Sequence, residues 1–161
     1  MQAQRTTDME LVRTIITHPK IYPWVTDDEA PRAKDFVPLP ADEDRVLYVL
    51  VNDGQARGIF AFYQQNAATT EAHTCVLPEM WGRTHLAARA AIAWTFENTA
   101  FHRITTSVPQ DNPLAGRLAR RAGMTHYGHN PSSFLRNGAL LGMDLFGISR
   151  KEPQCQSQQQ W

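Results

Sequence analysis

The sequence predicts a mixed α/β domain built on a mostly antiparallel sheet. Three observations predict it. Strand-like runs at 45–51, 56–64 and 68–77 follow one another across short turns, which is a meander. An Ala-rich helical run, 85–97, then precedes another strand-like run, 101–108, so the order is not a repeating βαβ series. Two further strand-like runs, 125–129 and 139–149, follow the last helix.

The elements are justified in chain order. Thr6-Thr7-Asp8 caps a first helix, in which Met9, Leu11, Val12, Ile15 and Ile16 recur at helical spacing. The segment 18–31 carries Pro19, Pro23 and Pro31, which forbid a continuous helix, yet it holds Tyr22, Trp24 and Val25 beside Asp27, Asp28 and Glu29. Apolar residues in a long irregular stretch suggest a packed loop. Asn52-Asp53-Gly54 is hairpin-turn chemistry, and Gln65-Asn66-Ala67 makes the next turn. In the helix 85–97 the expected apolar side is Leu86, Ala90, Ala93 and Trp94, extended by Ile92 and Phe96. Asn112-Pro113 is a helix start and Gly123 a helix stop. The stretch 131–138 reads as a loop with a second Asn-Gly turn.

Composition narrows the function classes. At 161 residues and 42% hydrophobic, the chain is expected to form one domain over 1–149. The polar, Gln-rich end, 150–161, is expected to be disordered, with Trp161 free or docking a protein partner. Sixteen basic and sixteen acidic side chains cancel, which argues against a dedicated nucleic-acid binder. Neutrality also leaves self-association weakly opposed, so a homodimer is among the expected states. Two cysteines, Cys75 and Cys155, fit a reducing cytoplasm rather than a disulfide scaffold. No histidine or cysteine pair has metal-ligand spacing, and no run is long enough to span a bilayer.

The chemistry concentrates between Glu71 and Asn112. A strand, a loop with Gly82 and a following helix make an anion site, because free N–H groups and the helix dipole both favour phosphate. Alternation along 68–77 places Glu71, His73, Cys75 and Leu77 on one face. Glu71 and His73 are thus two titratable groups beside the loop, suited to moving a proton to or from a reacting group. The bland alternative makes His73 a core histidine bonded to backbone and Glu71 an edge charge.

The run of Glu71, Pro78, Trp81-Gly82-Arg83, His102-Arg103-Ile104, Asn112 and Gly123-Met124 resembles the GNAT superfamily of acetyl-CoA-dependent N-acetyltransferases. It is most similar to the branch that acetylates N-terminal amines of ribosomal proteins, and to GNAT-like proteins of tailed phages and prophages. One departure is Thr84, where the family carries a second loop glycine. A β-branched residue there threatens strain if φ must be positive.

The resemblance implies a GNAT fold: six to seven strands, mostly antiparallel, flanked by helices and splayed at the acetyl-CoA site. It implies that the cofactor's pantetheine meets the backbone of Cys75, Val76 and Leu77, and that Asn112 also faces the cofactor. The diphosphate would lie over Trp81, Gly82, Arg83, Thr84, His85 and Leu86. Arg117, Arg120 and Arg121 are candidates for the adenosine phosphate. Tyr22, Trp24, Asp27 and Asp28 would form one wall of the acceptor-amine site, unless the aromatics merely plug the core edge. Glu71 matches a carboxylate that acts as base. Ala119 stands where many relatives place a tyrosine acid, which leaves Tyr127, Ser132 and Ser133 as candidates. The expected activity is acetyl transfer to a primary amine; a catalytically silent GNAT-fold binding module, such as a phage assembly factor, is the alternative.

Overall fold

The computed structural model describes residues 1–42 and 45–151. Among these residues seven strands form one sheet in the order β1-β2-β3-β4-β5-β7-β6. They are β1 (Gln2–Arg5), β2 (Val46–Asn52), β3 (Ala56–Gln64), β4 (Thr69–Val76), β5 (Arg103–Pro109), β6 (Thr125–Arg136) and β7 (Ala139–Ser149). The helices are α1 (Met9–Ile16), the single turn α2 (Tyr22–Val25), α3 (Thr84–Asn98) and α4 (Pro113–Ala122). Only β4 and β5 pair in parallel; every other neighbour pair is antiparallel. The expected mixed, mostly antiparallel sheet is therefore the observed one.

The sheet has two apolar faces, and alternation along each strand divides them. Leu47, Val49 and Val51 of β2, with Phe60, Phe62, Ala72 and Val76, pack under α3 and α4. Val46, Tyr48 and Leu50, with Ile59, Ala61 and Cys75, pack against α1 and α2. Gly58 lets β3 and β4 approach: a Cβ there would lie 2.7 Å from the Cys75 carbonyl oxygen.

Local chemistry sets the helix ends. Asp8 accepts from the Leu11 N–H and caps α1. Asn112 accepts from the Ala115 N–H, Pro113 opens α4, and Gly123 at φ 99° closes it.

The segment 18–31 forms no continuous helix, as its prolines require; Pro23 is accommodated in the first turn of α2, where its missing N–H costs nothing. β1, which nothing in the sequence signals, forms by pairing with β2. Two expectations need correction. The stretch 131–138 is not a loop: β6 runs on to Arg136 through an irregularity between Asn130 and Phe134, which an edge strand tolerates, Pro131 included. The buried side of α3 is Ala87, Ala88, Ala91, Ile92 and Thr95, not the Leu86–Ala90–Trp94 side. Alanines admit the closest helix–sheet approach, so they take the face while Trp94 and Phe96 pack at its flank.

The expectations for Trp161, Cys155 and the rest of 152–161 lie outside the described residues. Arg150 lies within them, and its Nη2 donates to the Thr99 carbonyl at 2.6 Å.

Candidate active site

β4 and β5 stay paired for only three positions, Thr69↔Arg103 to Glu71↔Thr105. Beyond them β4 continues along β3 to Val76, while β5 continues along β7 to Pro109. A gap therefore opens within the sheet after Glu71.

The β3 ladder fixes which backbone groups face that gap. Gln65 N–H donates to the Thr69 carbonyl at one end, and Leu77 N–H donates to the Arg57 carbonyl at the other. With no register shift between them, odd-numbered residues of β4 bond to β3. Thr74 and Val76 turn their amides toward β5. Of the implied pantetheine contacts, then, only Val76 addresses the gap; the Cys75 and Leu77 amides belong to the β3 ladder. Thr74, which sequence reasoning did not single out, also turns its amide into the gap, and the hairpin register is the signal that finds it. The Val76 carbonyl is already engaged, accepting from Trp81 Nε1 at 3.1 Å.

On the α1 face of this opening, Glu71 and His73 share a side, as alternation requires. Glu71 Oε1 accepts from Ser107 Oγ at 2.7 Å, a bond that reaches across the diverging strands. Ser107 went unnoticed because only the β4–β5 register brings it to Glu71. His73 is exposed over part of its ring and stands edge-on to Tyr63 at 5.1 Å. It makes no hydrogen bond to backbone among the described residues. The mass of protein around it lowers its pKa, and the Glu71 charge opposes that shift. Its neutral form is thus favoured on folding. The unfolded chain binds the proton more readily, so stability is full above about pH 6.5 and falls as the pH drops below it. His73→Gln is expected to flatten the loss of Tm between pH 7 and pH 5. An unchanged slope would place the sensitivity elsewhere, with His85 the next group to test.

Past β4, Pro78–Met80 make one 3-10 turn and Gly82 reverses the chain at φ 90°. That left-handed residue is glycine, and Thr84 is the first residue of α3 with no positive φ. The strain expected of Thr84 is absent; its hydroxyl donates to the Met80 carbonyl at 3.2 Å. Arg83 N–H donates to Met80 and Leu86 N–H to Arg83. The N–H groups of Gly82, Thr84 and His85 find no acceptor among the described residues. Three open donors at a helix N-terminus fit a diphosphate, and the exposed Arg83 adds a cation.

The remaining candidates are placed as follows. The His85 ring turns away to Arg121, with Nε2 at 3.2 Å from Nη2, and burial and two arginines hold it neutral. Only its N–H faces the loop. Asn112 spends its side-chain oxygen on capping α4, which leaves its amide NH2. Tyr22 is a core residue whose hydroxyl donates to the Pro31 carbonyl at 2.5 Å. Asp28 is committed to structure: its two oxygens accept from Asn137 and Gly138 N–H at 2.7 Å each. Asp27 accepts from the Glu29 N–H, and Trp24 is 52% exposed. These two keep a surface toward solvent. Tyr127 lies under the Arg103 guanidinium at 4.9 Å, on the paired side of Thr105 rather than the open side. Ser133 donates to the Asn130 carbonyl and Ser132 sits at φ 48° in the β6 irregularity, beyond the last β5–β7 pair.

The model of the acetyltransferase (GNAT) domain matches residues 2–125. The chain belongs to the GNAT acetyltransferase family. As such it is an acetyltransferase that uses acetyl-CoA, and the gap after Glu71 and the open N–H groups before α3 fit that cosubstrate. Among solved structures, the GNAT chain is similar to a spermidine N-acetyltransferase SpeG chimera from Vibrio cholerae and hSSAT, at 17% identity, 92% of this chain, 96% of that one and TM-score 0.72. It is also similar to spermidine N-acetyltransferase from Vibrio cholerae in complex with CoA and spermine, at 17% identity, 92% and 95% coverage and TM-score 0.70. A GNAT-family acetyltransferase from Bacillus anthracis matches at 17% identity over 65% of this chain and 66% of that one, with TM-score 0.56. At these identities the likeness speaks for the fold. No curated protein matches the sequence.

Proposed function

We propose that this GNAT domain acetylates a primary amine that reaches the site as an alkylammonium ion. The observation that carries the proposal is Glu71, held by Ser107 at the point where β4 and β5 part. In this reading Glu71 takes the proton that the ammonium must lose before its nitrogen attacks the thioester carbonyl. The N–C bond forms, the adduct nitrogen gives up its second proton to solvent, and the C–S bond breaks. The Val76 N–H, aimed into the gap, stabilises the oxyanion of the adduct. The thiolate leaves by collecting a proton from solvent, since Ala119 offers none.

Acceptor charge follows from the wall 22–31. Trp24 offers an aromatic face, and the Asp27 and Glu29 carboxylates have no cationic partner among the described residues. An aromatic face and carboxylates together suit an ammonium group. Polyamines are candidates of that kind, and spermine is bound in one structurally similar protein. Terminal amines of ribosomal proteins, suggested by Trp81-Gly82-Arg83, form a narrower candidate class.

The test is titration calorimetry with acetyl-CoA, followed by an amine panel of spermidine, lysine and N-terminal peptides. Micromolar binding is expected. Gly82→Glu is expected to weaken it by at least about a hundredfold, because it strains a left-handed residue and puts a carboxylate in the anion site. No binding at millimolar acetyl-CoA would favour the silent binding module instead.

A further inference from the structure

We propose that Arg136 is a positioning residue that fixes the acceptor wall 22–31 relative to the cofactor-side turn before α4. This rests on the reading of 22–31 as that wall. Arg136 ends β6 and is only 7% exposed, an unusual place for a guanidinium. Its Nη1 donates to Asp111 Oδ1 at 2.8 Å. Its Nη2 donates to the carbonyls of Trp24 at 3.2 Å and Thr26 at 3.4 Å. It lies over the Phe134 ring at 4.7 Å and near the Trp24 ring at 5.9 Å.

The partners belong to two parts of the site. Asp111 directly precedes Asn112, the α4 cap. Trp24 lies within α2 and Thr26 is the first residue past it. The wall has no strand ladder of its own, so something outside it must set its distance from the gap. The tip of the β6–β7 hairpin does so twice. Asp28 accepts from Asn137 and Gly138 N–H, and its own N–H donates to the Leu135 carbonyl at 3.1 Å. Arg136 supplies the link that also reaches the cofactor side. Its Nε is buried without a partner, which disfavours the buried cation. The planar fork to Asp111 and to two carbonyls is what offsets that, and a lysine ammonium cannot reproduce it.

The test uses Arg136→Lys and Asp111→Asn in the full chain, with two readouts. Hydrogen exchange across 22–31 is expected to accelerate at least about tenfold in Arg136→Lys, the loss of a charge-assisted hydrogen bond, with exchange across 46–76 unchanged. The amine KM is expected to rise about tenfold while kcat and the acetyl-CoA KM move by less than about twofold. Asp111→Asn keeps a hydrogen-bond acceptor and is expected to show a smaller effect of the same sign. Unchanged exchange in 22–31 overturns the positioning role, whatever the kinetics. Equal changes in both KM values overturn it as well, because a general loosening of the fold would do that. A wild-type protein that acetylates no amine defeats the acceptor reading and leaves the exchange result to decide Arg136.

Discussion

Glu71→Gln is expected to lower kcat for amine acetylation by about two to four orders of magnitude at pH 7, the usual worth of a positioned base. The amide keeps the size of the carboxylate and can still meet Ser107 Oγ, so the change removes basicity and little else. Acetyl-CoA affinity is expected to hold, since the proposed phosphate donors lie on Gly82, Thr84 and His85, on the far side of Val76. The deficit should shrink as the pH approaches the amine pKa, where free amine arrives without help. Steady-state rates from pH 6 to pH 10 measure both effects. A variant that matches the wild type at pH 7 would take the base role from Glu71 and leave His73 as its nearest replacement.

Phe146→Ala is expected to destabilise the fold by about 3–5 kcal/mol, the range for emptying a large aromatic site. Phe146 is fully buried beneath α4, with the Arg120 guanidinium over its ring at 5.0 Å and His126 edge-on at 5.2 Å. Gly116 faces the ring and has no side chain to move into the space, and the α4 side chain nearest the ring, Arg120, carries a charge that is costly to bury there. A domain of this size has about 5–15 kcal/mol in total and moves about 2–4 °C per kcal/mol. A fall in Tm of about 10 °C is therefore expected by differential scanning calorimetry. A shift under about 2 °C would mean that α4 settles onto β7 and closes the cavity.

Much of this could be read from sequence where the determinants are local. Asn112-Pro113 and Gly123 mark α4 to the residue, and the β2–β3 hairpin follows from Asn52-Asp53-Gly54. The elements that were missed depend on partners distant in sequence. β1 has no apolar alternation of its own and exists because β2 pairs with it. β6 crosses Pro131 and a left-handed Ser132 because it is an edge with one neighbour to satisfy. The orientation of α3 depends on how closely alanines let it approach, which a count of large hydrophobes misjudges. In the site, Glu71 and Gly82 were legible from spacing. Ser107 became visible only through parallel register, and Asp28 acquired its role from a turn more than a hundred residues away. Arg136 lay in the stretch 131–138 expected to be a loop, and nothing near it in the chain announces burial.

The gap between β4 and β5 has a practical consequence for anyone mapping this protein by mutation. On the proposed reading its recognition groups are main-chain amides at Thr74 and Val76, joined by those of Gly82, Thr84 and His85. Alanine substitution at Thr74, Val76, Thr84 or His85 leaves the amide in place, so a scan of those positions is expected to return near-normal binding; Gly82, at φ 90°, is the exception, because a Cβ there strains the turn. The same property lets side chains diverge while the contacts persist. Chemistry that edits the chain itself, such as replacing the Val76 or Thr84 peptide bond with an ester, would remove one donor at a time. It would reveal a site that ordinary substitution passes over.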